Sequence, residues 1–267
     1  MRRFVLIFLL VGTSLCAKTF AQGMRGGVFD ADLPVGDDAP ADTRLTVSLP
    51  PVQPILSPEL ALATYQRRTA VQTSQLASYS AVTVIKAQLP DTSQEGEYEL
   101  QRNYSAPHTL LFKPVRFVGD KFIKSNVIVR LLQSEVDHVQ KDDPSQTAIS
   151  PANYKFSYKG QSQLGDRLVE AFQVKPRKKR LGLFKGRIYL DAHTGALARV
   201  EGTAVKSPSF FVKNIQFVQD YADFDSFTLP VHVHSEARAR VVGRTIVDIV
   251  HRDYQPVPVE VAGSPSL

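Results

Sequence analysis

The chain of 267 residues has one cysteine, Cys16, and no apolar run near the roughly twenty residues a membrane-spanning helix needs. It also has no P-loop, no dinucleotide fingerprint and no internal repeat. Gly160-Gln161-Ser162-Gln163-Leu164-Gly165 has one residue too many for a nucleophile elbow and reads as a turn. Paired carboxylates of the glycosidase kind cannot be picked out by spacing. These absences exclude the nucleotide, thiol and elbow-serine chemistries, so no catalytic group, no cofactor and no enzymatic activity are expected.

Histidine offers the one metal-like pattern. His232 and His234 are two apart on a predicted strand and share a face. With no cysteine and no acid at ligand spacing beside them, no metal is assigned. His251 lies on the next strand and meets His234 in one register, but a one-residue shift puts it on the opposite face.

What is present begins with an export signal over 1–21. Arg2 and Arg3 precede the apolar run 4–15, and Thr19-Phe20-Ala21 supplies small residues for cleavage near Ala21. Cys16 then leaves with the signal, and Leu15 stands where lipidation at Cys16 would want a small residue. The mature protein is expected to be a cysteine-free periplasmic monomer.

Residues 22–57 hold Pro34, Pro40, Pro50, Pro51 and Pro54 and five aspartates against two arginines, which reads as a disordered linker. The signal carries three bases and no acid, the linker is net −3, and the full chain is +6, so residues 58–267 keep +6. That field suits an anionic surface. Its densest point is the basic cluster Arg177, Lys178, Lys179, Arg180 and Lys185, the candidate contact for anionic lipid or lipopolysaccharide. An exported chain is not expected to meet nucleic acid.

Ser57-Pro58-Glu59 supplies an N-cap, a first-turn proline and an acid at the positive helix end, predicting a helix over 58–78 with Leu62, Tyr65, Thr69, Gln72, Leu76 and Tyr79 on one stripe. From residue 81 the period becomes two. Tyr98, Leu100 and Tyr104 share one face of a strand, and a strand pair over 108–123 turns at Gly119-Asp120, with Pro114 at an edge or bulge. Residues 126–140 fit a strand or a helix, and the recurrence of Leu132, Glu135 and Val139 favours the helix. The clearest hairpin, 187–200, turns at Gly195, and three more strands cover 210–221, 227–241 and 244–254. A Pro-rich tail, 255–267, follows. About ten antiparallel strands result, several apolar on both faces, so their second face is covered by helices or lines a cavity.

Ser78-Tyr79-Ser80-Ala81 after the long helix, Gly186-Arg187-Ile188-Tyr189-Leu190-Asp191 with Gly195 and Arg199-Val200-Glu201, and Leu229-Pro230 with Tyr254 resemble the periplasmic outer-membrane lipoprotein-sorting proteins, or lipoprotein carriers. The resemblance spans about 58–254. It implies an α+β fold, a curved antiparallel sheet forming a half-open β barrel covered by the long N-terminal helix and a second short one. It also implies a non-enzymatic carrier that shields lipid or lipoprotein acyl chains, as in outer-membrane lipoprotein sorting. On this fold the cavity candidates, taken from apolar faces, are Leu110, Phe112, Ile128, Leu132, Phe172, Ile188, Leu190, Phe211 and Phe217. The alternative is an envelope-stress sensor or scaffold that uses the same fold to bind a protein partner.

Overall fold

A computed structural model describes residues 54–207, 212–240 and 243–260. The expected signal, the linker up to residue 53 and Phe211 lie outside the described residues. The first element, α1 (Pro58–Gln75), starts as its sequence dictates: the Ser57 hydroxyl accepts the Leu60 N–H at 3.3 Å, with Pro58 in the first turn. It ends three residues short of the predicted 78. Leu76 is already extended and pairs with Pro258, and Tyr79 pairs with Pro256, so sheet bonds take the backbone that helical spacing alone would continue.

β1 (Leu76–Leu89) and β2 (Gln94–Ser105) form a hairpin, and β3 (Thr109–Gly119) follows. The predicted strand pair over 108–123 is corrected to this single strand. Asp120 is a helix N-cap rather than part of a hairpin turn, its carboxylate accepting the Phe122 N–H at 2.6 Å. Pro114 does sit beside a bulge, since Leu100 pairs with Pro114 and Glu99 with Arg116. α2 (Lys121–Ile123), a π-turn (Lys124–Ile128) and α3 (Val129–Lys141) then form one helical segment, five residues longer at its start than predicted.

The second run of strands is β4 (Tyr154–Leu164), β5 (Arg167–Pro176), β6 (Phe184–Asp191), β7 (Leu197–Ala204), β8 (Val212–Phe224), β9 (Phe227–Ala239) and β10 (Gly243–Pro258). Residues 160–164, read as a turn, belong to β4: a bulge beside Gly160, which has φ +108°, lets the strand continue, and the chain turns only at Gly165. Gly195 takes φ +65° in the β6–β7 turn, as its position there requires. β10 continues to Pro258, past the expected start of the tail at 255.

The ten strands make one antiparallel sheet in the order β3-β2-β1-β10-β9-β8-β7-β6-β5-β4. The first and last strands, β1 and β10, are neighbours, third and fourth in that order, while β3 and β4 are its edges and do not pair with each other. The connection between those two edges contains the α2–α3 segment. One face of the sheet is apolar and divided between the helices. α1 covers a cluster with Tyr154, Phe172, Phe184, Leu190 and Phe217, and α2–α3 covers another with Ile85, Leu89, Leu100, Val247 and Ile249. The architecture is the expected open half-barrel. Among the described residues no helix is long and apolar enough to cross a membrane.

Gln72 explains why polar residues occupy the α1 stripe. Its amide donates to the Thr228 carbonyl at 3.1 Å and accepts the Thr228 N–H at 2.8 Å, fixing the helix across the β8–β9 hairpin. Gly186 and Gly202 face each other on β6 and β7. A Cβ at Gly186 would lie 1.9 Å from the Glu201 carbonyl oxygen, so only glycine allows this approach.

Candidate functional site

The concave face is the candidate site, and eight of the nine cavity candidates are described there. Phe172, Ile188, Leu190 and Phe217 lie together under α1. Ile128 and Leu132 come from the α2–α3 side and pack on β1, β2 and β10. Leu110 is buried in a third cluster with Leu76, Tyr104, Phe227, Leu229 and Tyr254, and Phe112 is half-buried between the second and third. The candidates therefore fill two halves of the concave face rather than lining one void. Around the third cluster Tyr79, Phe112, Val136, Val139, Phe224 and Val231 are only partly buried. Val136 and Val139 bring the end of α3 to this edge of the concave face. A void of about 10 Å³ under α1, beside Tyr65, Arg68, Tyr221 and Thr228, has room for a single water.

Of the motif residues of the resemblance, Tyr79, Leu229, Pro230 and Tyr254 meet beside this third cluster, whereas residues 186–191 and 199–201 lie on β6 and β7, with Ile188, Leu190 and Val200 in the cluster under α1. The Tyr254 hydroxyl donates to the Pro230 carbonyl at 2.7 Å, and the Tyr79 ring stacks on Tyr104 and meets Tyr254 edge-on with centroids 5.4 Å apart.

Beside the Tyr79 ring lies a pair of charged residues. Arg102 of β2 and Glu135 of α3 form an ion pair, each side chain 6% exposed. Arg102 Nε also donates to the Tyr79 hydroxyl at 2.9 Å, and the guanidinium carbon sits 5.8 Å and 5.5 Å from the Tyr79 and Phe112 ring centres. Burial pulls down the Arg102 pKa, but Glu135, Tyr79 and Tyr254 outweigh it, so the guanidinium stays charged. Burial raises the Glu135 carboxyl above its ordinary range, opposed by Arg102 and His138.

His251 belongs to the same interior. Its Nδ1 lies 2.9 Å from Thr83 Oγ1, and its buried Nε2 has no hydrogen-bond partner. Burial, then the charge of Arg102, hold its pKa well below the usual imidazole range, so it is neutral. Its register separates it from His234, which pairs with Asp248 on the opposite face.

His232 and His234 face outward. His234 Nδ1 is 2.7 Å from Asp248, and His232 stands 3.6 Å from Asp220 and 3.7 Å from Asp248. Arg199 joins Asp220 at 2.5 Å and Arg244 joins Glu236 at 2.9 Å, so acids and bases alternate across β7 to β10. No three metal-ligating side chains converge among the described residues. A groove of about 450 Å³ on this face is bordered by Arg187, Glu201, Gln216, His234 and Glu236.

The basic cluster divides in two. Arg177 Nε donates to the Pro151 carbonyl at 2.7 Å and Arg180 Nη1 to the Gln146 carbonyl at 3.3 Å, so these two arginines hold the loop before β4. Lys178, Lys179 and Lys185 are exposed.

Residues 145–253 match a family described as Family of unknown function (DUF5686). No curated protein matches the chain. Among solved structures, the chain is similar to a LolA-superfamily protein from Nitrosomonas europaea, at 9% identity and a TM-score of 0.37 over 75% of this chain and 93% of that one. It is similar to an outer membrane lipoprotein-sorting protein domain from Vibrio parahaemolyticus, at 11% identity and a TM-score of 0.40 over 75% and 93%. It is also similar to MucB in the MucA/MucB complex from Pseudomonas aeruginosa, at 10% identity and a TM-score of 0.26 over 73% and 98%. The group that the sequence motifs resemble is represented among these structures.

Proposed function

We propose that the protein is an exported carrier that shields the acyl chains of a lipid or lipoprotein between the concave face of its sheet and the α2–α3 segment. One observation carries the reading: half of an apolar sheet face is covered by a single helical segment, and the apolar side chains beside the end of that segment are only partly buried. A second sheet would be held by its own packing, whereas α3 is held by apolar contacts, the Arg102–Glu135 pair and a 3.1 Å contact of His108 Nδ1 with the Val139 carbonyl, and the π-turn interrupts the segment. The unpaired edges β3 and β4 leave the half-barrel free to widen. Acyl burial at about 0.8 kcal/mol per CH2 drives uptake, and Lys178, Lys179 and Lys185 orient the protein toward anionic head groups.

The test is native mass spectrometry of protein purified from membranes without detergent, followed by organic extraction. Co-purifying lipid that disappears in still-folded Phe112→Asp or Phe217→Asp variants supports the carrier. A ligand-free mass, with fluorescent fatty-acid affinity unchanged in both variants, refutes it.

The second reading, a scaffold for a protein partner, is favoured by β3. Leu111, Val115 and Val118 are each more than half exposed on this edge strand, whereas β4 presents Lys155, Lys159 and glutamines. Leu111→Lys with Val115→Lys would abolish envelope-partner capture while leaving acyl binding intact.

A further inference from the structure

Hydrocarbon packing gives no reason for Arg102. Strand periodicity places it on the same inward face of β2 as Tyr98, Leu100 and Tyr104, all of them buried. A guanidinium is tolerated there only with an anion beside it. In the closed arrangement that anion is Glu135, and Glu135 is carried by α3. Lifting α3 to admit an acyl chain removes the carboxylate and leaves Arg102 where it was, held through Nε by Tyr79 and flanked by the Tyr79 and Phe112 rings. The vacated place is a two-pronged cationic fork at the foot of an apolar groove. The unpartnered Nε2 of neutral His251 lies in the same interior.

The geometry points to an anionic head group, a carboxylate or a phosphate borne on an acyl chain, as the ligand group that replaces Glu135 on Arg102. This rests on the carrier reading above. The fork matches either oxyanion in two-point geometry. The exchange substitutes one buried anion for another, so Arg102 stays compensated throughout. A neutral lipid of equal chain length would leave it unpaired, and from this comes selectivity among amphiphiles.

The experiment compares palmitate, 1-palmitoyl-glycerol-3-phosphate, palmitamide and 1-monopalmitoylglycerol, all below their aggregation thresholds, with acetate and inorganic phosphate as chainless controls. The proteins are wild type, Glu135→Gln, and Arg102→Met combined with Glu135→Leu, which keeps the interior filled if the single variant fails to fold. The expected result is that wild type binds the two anionic amphiphiles at least ten-fold tighter than the neutral ones. Glu135→Gln widens that ratio and the double variant abolishes it. Whichever of palmitate and the glycerophosphate binds tighter identifies the head group, and either order supports the exchange. Equal binding of charged and neutral amphiphiles by wild type overturns the exchange and leaves the carrier reading standing. Failure of every acyl ligand to bind overturns both. Inorganic phosphate binding as tightly as the glycerophosphate overturns the lipid head group in favour of a free-anion site.

Discussion

If α3 must lift before a chain can enter, affinity should show a chain-length threshold that the structure sets. The helical segment inserts Ile123, Val127, Ile128, Leu131 and Leu132, none more than 8% exposed. At about 1.5–3 kcal/mol for each fully buried side chain, their contacts hold the segment down with about 7–15 kcal/mol. An acyl chain returns about 0.8 kcal/mol per CH2, so it offsets the displacement only at about 9–19 methylenes. Octanoate, with fewer methylenes, should therefore fail to bind, while affinity should emerge in carboxylates of about 11–21 carbons and rise about four-fold per added carbon. Leu131→Ala weakens the closed state by about 2–5 kcal/mol and should lower the threshold by about three to six carbons. Calorimetric titration with saturated carboxylates of increasing length, on wild type and Leu131→Ala, measures both quantities. Octanoate binding as well as palmitate, or Leu131→Ala weakening laurate binding, would refute the displacement of α3.

Three further outcomes follow from the interior and the sheet. Glu135→Gln should lose about 3–5 kcal/mol in urea unfolding because it strands Arg102, whereas Arg102→Met with Glu135→Leu should be neutral or more stable by about 1–4 kcal/mol; equal losses in both would contradict the pair's burial. His251 is neutral when folded but titrates near its ordinary pKa of about 6.5 when unfolded, so below that pH the unfolded state binds the extra proton. Its stabilising contribution is whole above about pH 6.5 and is lost as pH falls, by up to about 1.4 kcal/mol per unit, and His251→Gln should flatten that slope in denaturation series from pH 7.5 to 5. Gly186→Ala must push β6 from β7, since the new carbon meets the β7 backbone at Glu201 and Gly202, and a loss of at least about 1–3 kcal/mol should appear as a lowered Tm; an unchanged melt would show that the two strands are not this close.

The half-barrel was legible wherever local chemistry decides the outcome. Ser57-Pro58-Glu59 fixes the start of α1, Gly195 fixes the central turn, and the recurrence of Leu132, Glu135 and Val139 separates helix from strand. It was less legible where distant partners compete. Leu76 and Tyr79 continue a helical spacing, yet β10 claims their backbone, and no local window contains Pro256 or Pro258. Asp120 after Gly119 is as good a hairpin turn as a helix cap, and only the packing of Ile123 against the sheet decides between them.

The buried ion pair could have been found. Tyr98, Leu100 and Tyr104 on one face place Arg102 there too, and Glu135 stands between Leu132 and Val139 on the inward stripe of α3. Opposite charges on two inward faces are a pairing signal. The cavity candidates carried no such signal, because an apolar side chain that lines a groove and one that fills a core have the same periodicity.

The two lips of the half-barrel, β3 and β4, are tied to each other by the stretch of chain that bears α2 and α3. On the carrier reading that stretch would work as a drawstring: raising the helix would slacken or tighten the tether between the lips, so lifting α3 and spreading the barrel would be one movement. A clasp across the lips, such as a cysteine pair introduced into β3 and β4, would thus immobilise a helix it never touches. The expected mature chain, free of native thiols, is suited to receive one.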